Sequence, residues 1–387
     1  MAAELWTFKD ALDHLLDSYT SDLSERNKRL ARRAIFETCR EIANFRNWTY
    51  YNKRGKLTTV ASQTTGTITY VNSTRIVTLV GATFPTDAAY YELLIDDVRY
   101  EIESYTDTTH VVLSSTVNPG ADISAASEYT LYRDTYPLPD DFMAMGSLVD
   151  ATSGGRRLTC ASVNDVVTAN RRIGSTGEPM MFAVTRVAEN QGGLGLLFSA
   201  SPNSARTYDF SYQARPRALG TEAYQIGSVT SSAGLTTLSG TGTAFAAAHA
   251  GCVIRLSSSA DKLPTPLIGG PQNDLNPFAY QRVIKTVDST TALTLDSSIA
   301  TTLTAVKYII SDPIDVEAGA MMTAFLRLLE AQYARLSGRK DAPEKEKQAQ
   351  ASLWAAASAD NRTMFSEDYP RGTGSLADIS LGVSNAE

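Results

Sequence analysis

The fold of this chain is decided at residues 322–338, where the sequence reads MTAFLRLLEAQYARLSG. Apolar side chains recur there every three or four residues, which is the spacing of one face of an α-helix. They are Met322, Phe325, Leu326, Leu329, Tyr333 and Leu336. The pattern stops at Gly338, and glycine commonly ends a helix. A stripe this apolar has to be buried, so the segment predicts a helix that packs against other helices.

The N-terminal region predicts a hairpin of two helices. Thr7 followed three residues later by Asp10 is typical of a capped helix start. The apolar positions that follow recur at helical spacing and are Phe8, Ala11, Leu12, Leu15, Leu16 and Tyr19. A second helix is predicted to begin at Ser24, whose hydroxyl can cap it.

Another helix is predicted after the decisive stripe, from Pro343 to about Ala359, with Asp341 as its cap. Because each of these helices needs a partner, the two terminal pairs are expected to pack on each other. They would form one discontinuous helical domain from residues 1–56 and 313–360. Residues 361–387 are polar and rich in Gly and Ser, so we expect an extended C-terminal tail.

Between the helical ends, short runs of Thr, Val, Ser, Gly and Tyr broken by turn residues are typical of β-strands. Part of this region is repeated, first at an offset of 161 residues and then at an offset of 182. The first copy contains Gly66, Thr69, Gly81, Phe84, Ile102, Thr108, Thr109, Leu113 and Ser115, and the second contains Gly227, Thr230, Gly242, Phe245, Ile284, Thr290, Thr291, Leu295 and Ser297. The additional 21 residues of the second copy fall in a loop rich in Pro and Gly at residues 259–279.

The repeat predicts three β parts. Module 1 (residues 57–133) and module 2 (residues 220–312) are expected to be related small β-barrel-like modules. Residues 134–219 between them are expected to form a β-sandwich region. The predicted fold class is therefore α+β, with a discontinuous helical bundle from the N- and C-terminal helices and a central β region.

The formal charge of −7 argues against a dedicated nucleic-acid binder, because such proteins neutralise phosphates with Lys and Arg. The charge is uneven, since residues 24–56 hold ten basic and three acidic residues and the remainder is −14. Arg26, Arg29, Arg33 and Arg40 share one face of the second predicted helix. This basic stripe faces DNA, a neighbouring subunit or solvent, and the sequence leaves these alternatives open.

The sequence offers no motif for catalysis, for a cofactor or for a metal ion. His14, His110 and His249 lie far apart, and the three cysteines occur singly rather than in pairs. Walker-type loops, two-histidine zinc helices and nucleophile elbows are missing from it. We therefore expect a protein that is not an enzyme and binds no cofactor. The lack of a signal-like start or a long apolar run leads us to expect neither secretion nor membrane insertion, and assembly in a reducing cytoplasm.

Three local patterns, taken in this order, resemble the adaptor or connector proteins that tailed bacteriophages encode beside their portal. The first is Tyr-Pro-Leu-Pro-Asp-Asp-Phe at residues 136–142, which resembles the entry to the middle β region of that family. The second is a succession made of Gly177-Glu178-Pro179, Leu196-Leu197-Phe198, Pro202, Tyr208 to Tyr212 and Pro216. The third is Asp312-Pro313-Ile314-Asp315, which leads into the long amphipathic helix as in the family's C-terminal helical element.

The resemblance implies a structural virion protein at the head-to-tail neck, assembled in the host cytoplasm. It implies a helical core under the portal protein, a homo-oligomeric and dodecameric ring, a tail tube, nozzle or neck protein as second partner, and a channel through which genomic DNA passes without sequence-specific binding. We expect the tail to dock on the portal. Its candidate docking residues are Asp360, Arg362, Phe365, Tyr369 and Arg371.

Two other functions compete with this interpretation. The β repeats are also typical of a collar spike or receptor-binding module that recognises host glycans. A tail tube or nozzle protein is the second alternative, although the terminal helices are more than such a protein needs.

Overall fold

In a computed structural model of the chain, the described residues are 5–19, 24–152, 154–173, 177–187, 189, 193–264 and 278–364. The chain forms two compact units. The terminal unit consists of Met1–Tyr51 and Pro216–Glu387, and the inserted unit consists of Asn52–Arg215. The architecture is α+β, as the sequence predicts.

Helices from opposite ends of the chain share one hydrophobic core. The helices of the described residues are α1 (Phe8–Tyr19), α2 (Glu25–Phe45), α3 (Val163–Ile173), α4 (Ala320–Leu336) and α5 (Ala342–Met364). All except α3 belong to the terminal unit. Their core includes the fully buried side chains of Leu15, Ile35, Trp48, Phe325 and Tyr333. The discontinuous helical bundle is therefore confirmed.

The helix starts follow the predicted chemistry. Asp10 Oδ2 accepts hydrogen bonds from the Thr7 amide at 2.9 Å and from the Thr7 hydroxyl at 2.8 Å. The Ser24 hydroxyl caps α2 by accepting from the Asn27 amide at 3.5 Å. The end of α5 differs from the prediction, because the helix continues through Met364 instead of ending near residue 359.

The inserted unit holds module 1 and the sandwich region. Its strands are β1 (Asn52–Thr58), β2 (Thr67–Val71), β3 (Ile76–Val80), β4 (Glu92–Ile95), β5 (Val98–Asp107), β6 (His110–Leu113), β7 (Ile123–Ser127), β8 (Thr130–Tyr132), β9 (Thr135–Pro137), β10 (Phe142–Asp150), β11 (Arg156–Arg157), β12 (Thr159–Cys160), β13 (Met181–Arg186), β14 (Leu194–Phe198) and β15 (Thr207–Ala214). The sandwich sheets have the orders β1-β15-β10-β11 and β12-β13-β14-β9 and share one core. Residues 52–56 are thus a strand of this unit, and their assignment to the helical domain was wrong.

The terminal unit holds module 2, and the two modules have the same topology. Module 2 consists of β16 (Ser228–Ser231), β17 (Thr237–Thr241), β18 (Val253–Leu256), β19 (Tyr280–Ser289), β20 (Ala292–Leu295), β21 (Leu303–Val306) and β22 (Tyr308–Ser311). The strand order is β7-β2-β3-β6-β5-β4-β8 in module 1 and β21-β16-β17-β20-β19-β18-β22 in module 2. The corresponding strands follow the same order in both modules, so the predicted relationship between the modules is confirmed.

The additional residues of module 2 replace one tight turn. In module 1, β4 and β5 are joined by Asp96 and Asp97 alone, both with positive φ. In module 2 the corresponding strands end at Leu256 and begin again at Tyr280. Most of the predicted loop, residues 265–277, lies outside the described residues.

Candidate docking surface on the terminal unit

The Asp-Pro-Ile-Asp motif at residues 312–315 joins the chain segments of the terminal unit. The Phe8 amide donates to the Asp312 carbonyl oxygen at 2.8 Å, which ties the start of α1 to the end of β22. Asp315 holds both points at which the chain leaves and re-enters the unit. Its carbonyl oxygen accepts from the Tyr51 hydroxyl at 2.6 Å, and its Oδ2 accepts from the Arg217 amide at 2.9 Å.

The Asp312 carboxylate organises the loop that re-enters the unit. Its Oδ2 accepts from the Gly220 and Thr221 amides, each at 2.6 Å, and its Oδ1 accepts from Arg217 Nε at 2.8 Å. Burial acts to raise the pKa of this carboxyl, but the hydrogen bonds from Thr221, Gly220 and Arg217 outweigh it and hold the pKa below its usual range. The side chain is therefore a charged structural anchor.

A buried ion pair fixes α1 to module 2. Arg255 on β18 donates from Nη1 to Asp10 Oδ1 at 2.7 Å and from Nη2 to Asp10 Oδ2 at 2.6 Å. The side chains are 6% and 0% exposed. Arg255 Nη2 also donates to the Leu5 carbonyl oxygen at 2.9 Å. Because a bidentate pair of this kind has a defined geometry, it sets the position of α1. Sequence patterns do not reveal this pair, since its partners are 245 residues apart.

The predicted basic stripe is exposed and contains an aromatic residue that the sequence analysis missed. Arg26, Arg29, Arg33 and Arg40 all lie on the solvent side of α2. Phe36 continues their alternating spacing of three and four residues and is 46% exposed. The stripe is therefore one narrow helix face that combines four arginines with a phenylalanine, and we call it the α2 stripe.

The arginines of the α2 stripe are only partly neutralised by the chain itself. Arg33 Nε donates to Glu37 Oε1 at 2.7 Å, and Arg29 Nε donates to the Glu25 carbonyl oxygen at 3.3 Å. Arg26 and Arg40 form no ion pair with any residue that the structure describes. Uncompensated arginines on one helix face are typical of a surface that meets an acidic partner.

A polar groove of about 540 Å³ continues the surface between α2 and α4. It is lined by Glu37, Arg40, Glu41, Asn44, Phe45, Gln332 and Arg335. Gln332 Nε2 donates to Glu41 Oε2 at 2.5 Å, and Arg335 Nη2 donates to Glu37 Oε2 at 3.2 Å. These side chains satisfy one another, so the groove resembles the rim of an interface more than a ligand pocket.

Asp360, predicted to belong to a docking tail, is a buried structural residue. It is 6% exposed on α5 and accepts from the Thr49 amide at 3.1 Å. Its Oδ2 also lies 3.2 Å from Arg46 Nη2. The prediction was wrong because the polar composition of this stretch is typical of a tail, whereas its carboxylate serves the turn after α2. Arg362 lies on α5, and Phe365, Tyr369 and Arg371 lie outside the described residues.

The two cysteines of the terminal unit are held as unreactive thiols. Burial and the neighbouring Asp312 raise the pKa of the Cys252 thiol to about 12, and burial with Asp315 raises that of Cys39 to about 12. Both thiols are protonated at neutral pH and are poor nucleophiles. Among the described residues no group of three or more His, Cys, Asp or Glu side chains could hold a metal ion.

No protein-family model matches the chain, and neither does any curated protein sequence. Within the described ranges, the helices are too short or too polar to cross a membrane. The helical core shared by both ends of the chain and the α2 stripe exposed on it are the observations that bear on function.

Proposed function

We propose that this chain is a structural subunit of a tailed-phage virion, a head-to-tail adaptor that forms a ring beneath the portal. The shared core of α1, α2, α4 and α5 is the observation that carries the proposal. The adaptor resemblance implies such a helical core, and the motif at residues 312–315 is hydrogen-bonded to the segment that begins α1. In this role the chain needs no catalytic residue, cofactor or metal.

A ring requires two different complementary surfaces on each subunit. A head-to-tail contact whose rotation closes generates a ring, and one that does not close generates a filament. The charge distribution supplies two unlike surfaces, since residues 24–56 are strongly basic and the remainder is acidic. An acidic remainder also suits a DNA channel, because a surface that binds phosphates would retard the passing DNA.

The proposed partners are the portal protein above and a tail tube, nozzle or neck protein below, in a virion assembled in the host cytoplasm. The test is to mix purified chain with portal and to image the mixture by negative-stain electron microscopy. We expect rings seated on the portal, and a mass of the free ring that is a multiple of the 41.8 kDa chain. Trimers that bind host cells but not the portal would instead support the collar-spike function.

A further inference from the structure

The two β modules share their topology but differ in charge. Module 1 contains nine acidic and three basic residues between positions 57 and 133, a formal charge of −6. Module 2 contains six acidic and five basic residues between positions 220 and 312, a formal charge of −1. The common fold therefore does not require the acidity of module 1, and the excess charge calls for a separate explanation.

The excess acids of module 1 lie on the outside of strands β4 and β5 and on the turn between them. Asp96, Asp97 and Glu101 are exposed, and Val98 among them is 50% exposed. Glu92 stands directly opposite Glu101 in the β4–β5 register, an arrangement of like charges that destabilises a sheet. We call this surface the module 1 acidic face.

The acidic face is compensated only in part within the chain. Glu92 lies 3.9 Å from Arg99, whereas Glu101 forms no ion pair in the described part of the chain. At the position equivalent to Glu101, module 2 carries Val283. Asp96 and Asp97 likewise form no ion pair among the described residues, so the carboxylates of this face outnumber its one cation, which indicates that further cations come from outside the chain.

We propose that the α2 stripe of one copy docks on the module 1 acidic face of a second copy. This inference rests on the proposed ring and specifies its subunit contact. Among the described residues, Arg26 and Arg40 of the stripe form no ion pair, and neither does Glu101 of the acidic face. Each surface also exposes an apolar side chain among its charges, Phe36 on the stripe and Val98 on the face.

A protein partner accounts for the α2 stripe better than DNA does. Arginine and aromatic residues are enriched in the centres of protein interfaces, and an exposed phenylalanine gains little beside a phosphate backbone. DNA would also leave the acidic face unexplained. The contact is heterologous, because it joins two different surfaces, and such a contact builds a ring when its rotation closes.

The test reverses the charge on each surface separately. The helix variant carries Arg26→Glu and Arg29→Glu, which lie in the first turns of α2, where the helix dipole favours acidic side chains. The face variant carries Asp96→Asn, Asp97→Gly and Glu101→Lys. Asn-Gly is the preferred sequence for a two-residue turn with positive φ, so this variant keeps the β4–β5 hairpin.

Mass photometry over a range of salt concentrations measures self-association of the full-length chain, alone and with portal. Each variant is expected to associate at least ten-fold more weakly than wild type, and the chain that combines both sets is expected to recover the ring. A mixture of the two variants should recover it as well. Lys340→Glu with Lys347→Glu is the control, since it changes the same charge at two other exposed positions and should leave assembly intact.

Three outcomes would overturn the contact. If both variants form rings as well as wild type does, the proposed contact is excluded and the adaptor function is unaffected. A helix variant that loses binding to duplex DNA, beside a face variant that assembles like wild type, would assign the stripe to DNA instead. A wild-type chain that stays monomeric at every salt concentration, with and without portal, would overturn the ring function and this contact together.

Discussion

Replacing Asp134 by Asn is expected to remove a loss of stability that the inserted unit undergoes between about pH 4 and pH 7. The Asp134 side chain is buried at 8% exposure, and its Oδ2 accepts from Asn170 Nδ2 at 2.9 Å. Burial and the charge of Glu92 raise the pKa of Asp134 from 3.8 to about 7, against the opposing effects of Arg99 and Asn170.

The direction of the pH effect follows from proton binding. Below pH 3.8 the Asp134 carboxyl is protonated in the folded and in the unfolded state, so no stability is lost through its ionisation. Between pH 3.8 and about 7 the folded state binds the proton more tightly than the unfolded state, so stability falls as pH rises. At roughly 1.4 kcal/mol per pH unit, an interval of about three units gives a loss of up to about 4 kcal/mol at pH 8.

The assay can separate the two units, because Trp6, Trp48 and Trp354 all lie in the terminal unit. Hydrogen exchange of peptides from residues 134–214 at pH 5 and pH 8 measures the inserted unit, after correction for the intrinsic exchange rate. Tryptophan fluorescence during urea unfolding measures the terminal unit as an internal control. Asp140→Asn, at an exposed position, is the matched control variant. The reasoning is refuted if Asp134→Asn keeps the pH dependence of wild type.

Three further predictions concern the terminal unit. Arg255→Met leaves the buried Asp10 carboxylate without its bidentate partner and should cost ~3–5 kcal/mol in tryptophan-monitored unfolding, part of which Asp10→Asn should restore in the double variant. Gly227→Ala should lower the melting temperature of the unit more than Gly234→Ala does. Both glycines have positive φ, but of the two only Gly227 would place an added Cβ 2.4 Å from a carbonyl oxygen. Equal shifts in melting temperature would contradict this. Deleting residues 365–387 should leave the fold and the ring intact and abolish portal docking, and portal binding by the truncated ring would disprove a role for the tail.

The sequence predicts the parts of the fold that local chemistry controls. Thr7 and Asp10 form the predicted cap because capping depends on residues only three positions apart. The repeat is visible because glycines with positive φ recur at fixed offsets, such as Gly66 and Gly227, whose added Cβ would meet a carbonyl oxygen in both modules. Helix α4 is predictable because its stripe is long and regular.

The sequence does not predict features that depend on distant neighbours. Helix α3 was missed because its eleven residues are rich in Val, Thr and Asn, which favour a helix weakly. It is stabilised by packing of Val166 against Ala183 and Leu197 of the sandwich. The basic stripe of the candidate site was predictable from spacing, but the buried role of Asp360 depends on a contact with Thr49, 311 residues away.

The double anchoring on Asp315 has a consequence for how this chain is built. Tyr51 is the last residue of the terminal unit before the inserted unit, and Arg217 is the second residue after it. Both hydrogen-bond to Asp315. The chain therefore leaves the terminal unit and returns to it at neighbouring points. Excising residues 52–215 and closing the gap with a short Gly-Ser linker should therefore yield a smaller protein that still folds, which circular dichroism and tryptophan fluorescence would check.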